Sequence, residues 1–201
     1  MRLSLYFLVF IAIASRADVF VREDIIREPS PERFSVCHGN GCSILSEVSL
    51  PARQWAVIVD SFDPPAESGS AERKQLRIAI AQFERFVGVA TGTWADRGRN
   101  ASSASGPQAE MDCIDESINT TIYLTILARK GLMRHHEVRN RATRGWFMFG
   151  WPHTTAVIRD RTDGSLWAVD SWFLDNGKPP FIIPLKTWRA GWEPEMPSVL
   201  P

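Results

Sequence analysis

Cys113 stands at the predicted start of a helix, a position where a thiol can act as a nucleophile. The residues after it repeat an apolar side chain at helical spacing: Ile114, Ile118, Ile122 and Ile126. Asp112 is a favourable N-cap, and Gly131 is typical of a helix end. The unpaired N–H groups and the dipole at a helix start favour the thiolate, which is the nucleophilic form of cysteine. This pattern indicates a cysteine hydrolase if a histidine and an acid lie nearby.

His153 and Asp170 fall in two segments that predict a pair of antiparallel strands. Residues 151–158 and 166–173 carry β-branched residues in alternation, and residues 161–164 are typical of a turn. A four-residue loop over 161–164 makes His153 and Asp170 diagonal neighbours on one sheet face, with backbones about 7–8 Å apart. A two-residue turn would separate them, so a cysteine–histidine–acid triad requires the longer loop or a bulge.

The order of these residues resembles the transglutaminase-like branch of the papain-like cysteine hydrolases, and within it the bacterial transglutaminase-like cysteine proteinases. The resemblance extends from Gln108 to Asn176 and rests on the helix-starting Asp-Cys-x-Asp, the strand histidine and the acid in the next strand. It implies an α+β fold in which the cysteine-bearing helix packs on an antiparallel sheet that carries the other two residues. It also implies that Cys113 is the nucleophile, His153 the base and Asp170 the orienting acid. We therefore expect the Cys113 thiol within hydrogen-bond reach of a His153 ring nitrogen.

Other residues near Cys113 fit the resemblance to different degrees. Gln108 lies where papain-like enzymes place a glutamine that donates to the oxyanion, although it can also be a surface loop residue. The Cys113 backbone N–H is the preferred candidate for the oxyanion donor. Asp115 matches the acidic position of the family motif. As helix N-terminal acids, Asp115 and Glu116 raise the pKa of the thiol, so only a close imidazolium would outweigh them. Met111 stands where the family has glycine.

Cys37 and Cys42 enclose a glycine-rich segment, which predicts a small disulfide ring and leaves Cys113 unpaired. The alternative is a metal site formed by both cysteines and His38. Because a second ligand pair is missing, the zinc pattern is weak, and we expect neither a metal nor a cofactor.

Residues 1–17 are typical of a signal peptide. Arg2 precedes an apolar run over 3–14. The segments 12–14 and 15–17 each have a small residue at the first and third position, the pattern of a signal-peptide cleavage site. The alternatives are an uncleaved membrane anchor and a buried first helix. We expect residues 18–201 to form one exported domain, periplasmic or secreted, with no stable membrane span after processing.

Composition narrows the function further. The 201 residues carry 23 basic and 23 acidic side chains, which argues against a nucleic-acid binder. We expect a thiol hydrolase or acyl-transferase that acts on peptide or isopeptide bonds of a protein or peptide substrate. The alternative is a non-catalytic binding domain that keeps the fold, with Cys113 as a buried core residue.

Two further segments have secondary structure that the sequence predicts. Residues 71–87 predict an amphipathic helix, and residues 54–62 predict a strand-like segment.

Overall fold

The computed structural model describes residues 22–100, 110–145 and 152–195. These residues form a mixed α+β arrangement of helices and antiparallel sheets. In chain order the elements are β1 (Phe34–His38), β2 (Ile44–Val48), α1 (Ala52–Asp60), α2 (Gly69–Thr91), α3 (Cys113–Arg129), β3 (His136–Arg144), β4 (His153–Asp160), β5 (Leu166–Asp170), β6 (Phe181–Pro184) and α4 (Leu185–Arg189). The strands β1 and β2 form a hairpin, and β3 to β6 form a second sheet in the order β3-β4-β5-β6.

The register between β4 and β5 shows that the loop has four residues, the length that the triad requires. Arg159 pairs with Leu166 and Ala156 pairs with Val169, and the Asp160 N–H donates to the Ser165 carbonyl at 2.9 Å. A two-residue turn is incompatible with these pairs. His153 and Asp170 therefore lie on one face of the sheet, as diagonal neighbours.

The main core joins α3 to both sheets. Three of the four predicted isoleucines of α3 are buried, and Ile114 packs at the edge of the cluster. The Phe83 ring of α2 stacks on Tyr123 of α3 with centroids 4.7 Å apart, and Phe34 of β1 meets both rings edge-on. These contacts connect α2, α3 and β1. The predicted helix over 71–87 is also confirmed and is longer, because Ser68 caps it by accepting the Ala71 N–H.

The expectation of a strand over 54–62 is wrong, since residues 52–60 form α1. Ile58 and Phe62 are buried and Trp55 packs against the core, while Val57 is exposed. This spacing belongs to one face of a helix, and a short apolar run does not by itself separate a helix from a strand.

The two faces of the larger sheet pack against different helices. Ala156, Ile158 and Val169 belong to the core under α3. Val157 and Ala168 belong to a smaller cluster with Leu185 and Trp188 of α4. Because side chains alternate along a strand, His153 and Asp170 share the α4 face.

The segment predicted as a signal peptide lies outside the described residues, and so does Gln108. Among the helices in the three described ranges, none is both long and apolar enough to cross a bilayer.

Candidate active site

Cys113 is the first residue of α3, and it lies between Asp112 and Asp115, which form a complete capping box. The Asp112 carboxylate accepts the N–H groups of Ile114 and Asp115 at 2.9 and 3.0 Å, and the Asp115 carboxylate accepts the Asp112 N–H at 3.2 Å. The helix start is therefore held by two carboxylates rather than left open to solvent.

The loop between Cys37 and Cys42 docks on these two carboxylates, and the predicted disulfide is present. Four consecutive residues, 39 to 42, have positive φ, which turns their N–H groups inward. Asp115 accepts the N–H groups of Asn40 and Cys42 at 2.9 and 2.6 Å, and Asp112 accepts that of Gly41 at 2.9 Å. The disulfide loop thus sets the position of the Cys113 helix.

Asn119 adds a second connection between the loop and the helix. Its side chain accepts the Cys37 N–H at 2.7 Å and donates to the Cys37 carbonyl at 2.8 Å. The two sulfurs and an Asp115 oxygen lie within 4.8 Å of one another, but the sulfurs are bonded to each other and are not thiolate ligands. The Asn119 hydrogen bonds and the disulfide therefore both hold the loop against the start of α3.

His153 is held by Asp170. Its Nε2 lies 2.7 Å from Asp170 Oδ2, which also accepts the Trp188 Nε1–H at 2.6 Å. The three side chains are buried, and Trp172 lies against the imidazole with ring centroids 4.6 Å apart. Because a carboxylate only accepts, Nε2 donates this hydrogen bond, and in the neutral imidazole the lone pair is then on Nδ1. In the described part of the chain, Nδ1 has no hydrogen-bond partner.

The Cys113 thiol lies at the end of the sheet, beside the residues that flank His153. Its Sγ donates to the Pro152 carbonyl at 3.8 Å, and the Thr154 backbone N–H favours the thiolate. Burial, followed by the charges of Asp112 and Asp170, raises the pKa of the thiol to about 11. The expected hydrogen bond between the thiol and His153 is absent from the described residues, because Nε2 contacts Asp170 and Nδ1 has no partner.

Three buried acids, Glu84, Asp96 and Glu116, interact with one another near the start of α3. The sequence did not predict this group. Burial raises the pKa of Glu84 to about 7 and that of Asp96 to about 8. Burial, with the charges of Glu84 and Asp96, also raises the pKa of Glu116. Glu84 accepts the Gly177 N–H at 2.9 Å, and Asp96 accepts the Met111 N–H at 2.7 Å. The acids tie α2 and the loop before α3 to the segment after β5.

These acids predict that the free energy of unfolding falls as pH rises from about 5 to 8. Their folded pKa values lie above the unfolded ones, so the folded state holds more protons, and the associated stability is lost as pH rises through about 7 to 8. Urea unfolding at both ends of this window measures the change, and Glu84→Gln should flatten it while Glu67→Gln, at an exposed position, should not. Equal stability at pH 5 and pH 8 in the unmodified protein would contradict the prediction.

Comparison with known proteins adds no relative: no family model, no curated protein and no solved structure matches this chain.

Proposed function

We propose that this protein is an exported thiol hydrolase or acyl-transferase that acts on amide bonds, with a papain- or transglutaminase-like arrangement of Cys113, His153 and Asp170. The observation that carries the proposal is the 2.7 Å contact of His153 Nε2 with Asp170, because in the neutral imidazole this contact assigns the lone pair to Nδ1, which has no hydrogen-bond partner among the described residues. A buried ring nitrogen with no partner in the described ranges, next to residues that contact the Cys113 thiol, fits a proton acceptor better than a structural histidine.

In the proposed reaction the thiol leaves Pro152 and transfers its proton to His153 Nδ1. The thiolate attacks the amide carbonyl and forms a tetrahedral intermediate, and the imidazolium then returns the proton to the leaving amine. The resulting thioester on Cys113 is resolved by water or by a second amine. Asp170 keeps the hydrogen on Nε2 and stabilises the imidazolium.

The proposed oxyanion donor is the Cys113 backbone N–H, because the first N–H groups of a helix have no partner within the helix. Gln108 is the second proposed donor. The substrate is proposed to be a protein or peptide, since the aromatic side chains around His153 suit an extended chain: Trp172, Phe173 and Trp188.

Export is supported by two independent features. The N-terminal residues have the composition of a signal peptide. The disulfide between Cys37 and Cys42 is the kind of bond that persists in an oxidising compartment. We infer a periplasmic or secreted location.

A non-catalytic binding domain is the second candidate, and two observations favour it. The thiol is neutral at physiological pH in this arrangement, because its pKa is about 11. Moreover, α3 packs on the sheet face opposite to His153. A buried and unreactive Cys113 would then be a core residue.

Acylation by p-nitrophenyl acetate tests the proposal. We expect a burst of p-nitrophenol and an acetyl group on the peptide that contains Cys113, both absent from Cys113→Ser. Addition of glycinamide then separates transfer from hydrolysis, because a transferase forms acetyl-glycinamide. Equal nitrophenol release by the unmodified protein and Cys113→Ser would reject the thiol hydrolase.

A further inference from the structure

Two arginines on β3 have different environments although they are two residues apart. Residues two apart on a regular strand share a face. The pairing of β3 with β4 shifts between Arg139 and Ala142, so Arg141 lies inside an irregular stretch of the strand. Arg139 is exposed and pairs with Glu137 at 3.2 Å, whereas Arg141 is half-buried and turns toward α3.

The Arg141 side chain reaches the helix face that carries the thiol. Its Nη1 donates to the Ser117 hydroxyl at 3.2 Å, and that hydroxyl donates to the Ile114 carbonyl at 3.0 Å. Ser117 follows Cys113 by one helical turn, and residues four apart on a helix are neighbours. Burial lowers the pKa of Arg141, and the charge of Cys113 raises it, which is what a guanidinium beside a thiol experiences.

We propose that Arg141 is the residue that makes the Cys113 site selective for compounds with a carboxylate close to the reacting carbon. This inference rests on the proposed function and names the substrate class of the same site. The partly desolvated guanidinium lies one helical turn from the thiol, and it attracts an anion that arrives with the substrate. Its planar fork also matches carboxylate geometry, so the carboxylate would be oriented as well as attracted.

Alkylation by two reagents that differ in charge tests the proposal without a natural substrate. Iodoacetamide and iodoacetate both form an S–C bond with the thiolate and release iodide, but only iodoacetate carries a carboxylate. We expect the ratio of iodoacetate to iodoacetamide rates at Cys113 to fall about tenfold in Arg141→Gln, the effect of one nearby charge in a partly solvated site. Arg141→Lys should keep most of the ratio, and Arg139→Gln should keep all of it.

A second pair of labels identifies the source of the carboxylate. Bromoacetyl-Glu-amide against bromoacetyl-Gln-amide tests an acidic side chain, and bromoacetyl-alanine against its amide tests a C-terminal carboxylate. The preference that Arg141→Gln abolishes marks the group that is recognised. If Arg141→Gln does not fold, the salt dependence of alkylation in the unmodified protein tests the role of Arg141. High salt should slow the reaction of Cys113 with iodoacetate more than that with iodoacetamide, because salt screens the attraction between the guanidinium and the carboxylate.

The outcomes separate the two claims. An unchanged reagent ratio in a folded Arg141→Gln whose Cys113 still reacts overturns the role of Arg141 and leaves the thiol hydrolase standing. If salt does not change the ratio of the two rates in the unmodified protein, the role of Arg141 is likewise overturned and the thiol hydrolase stands. A Cys113 that reacts with neither reagent overturns both the role of Arg141 and the proposed function.

Discussion

Asp170→Asn is expected to slow acylation of Cys113 by about 10³- to 10⁴-fold while the protein stays folded. Asparagine is nearly isosteric, and one oxygen can still accept from both His153 Nε2 and Trp188 Nε1, which share Asp170 Oδ2. The negative charge that stabilises the imidazolium is lost. Burst kinetics with p-nitrophenyl acetate measure the acylation rate, and a thermal melt measures folding.

Asp163→Asn is the matched control, because Asp163 lies in the loop of the same hairpin and accepts the Ser165 N–H at 2.8 Å. We expect it to leave acylation unchanged. If Asp170→Asn unfolds the protein while Cys113 stays as reactive as before, Asp170 is a structural acid and the binding domain becomes the better account.

Asp115→Ala is expected to lower the free energy of unfolding by about 3 kcal/mol, because three backbone N–H groups lose their acceptor and each costs about 1–3 kcal/mol when buried. The donors are Asn40, Cys42 and Asp112. Part of this cost is offset, since burial already raises the pKa of Asp115 to about 7 and its ionised form is disfavoured. Urea unfolding at pH 7 measures the difference.

The same substitution should also affect the site, because the loop over 37–42 would no longer hold the start of α3. We expect slower labelling of Cys113 in Asp115→Ala. Glu67→Ala, at an exposed position, is the control for both readouts. A stability change below about 0.5 kcal/mol, the range of ordinary surface substitutions, would show that the disulfide loop does not depend on Asp115.

Local signals in the sequence were sufficient for several features of the fold. The cap before Cys113, the isoleucine stripe and the short ring between Cys37 and Cys42 each depend on residues close in the chain. The β4–β5 pair was predicted from strand periodicity, but the sequence left a four-residue loop and a two-residue turn as alternatives, and the structure shows the former. These features involve few distant contacts, so periodicity and turn chemistry determine them.

Features that depend on distant partners could not be found in this way. The bulge that turns Arg141 toward Ser117 leaves no pattern in the strand. Asn119 begins the sequence Asn-Thr-Thr, which has the pattern of a glycosylation acceptor, but its role depends on Cys37, a residue that only the fold brings near. Likewise, Trp188 reaches Asp170 because α4 packs against the larger sheet, and no local signal in the sequence predicts that packing. The sheet face against which α3 packs is also a property of the whole arrangement.

The pH dependence of iodoacetamide labelling at Cys113, in the unmodified protein and in His153→Gln, tests the central claim most directly. If His153 accepts the thiol proton, the unmodified protein should label at pH 6–7, because a thiolate–imidazolium pair exists there. His153→Gln should label only as pH approaches the thiol pKa of about 11 that burial produces. Identical profiles for both proteins, each rising toward that pKa, would contradict the account.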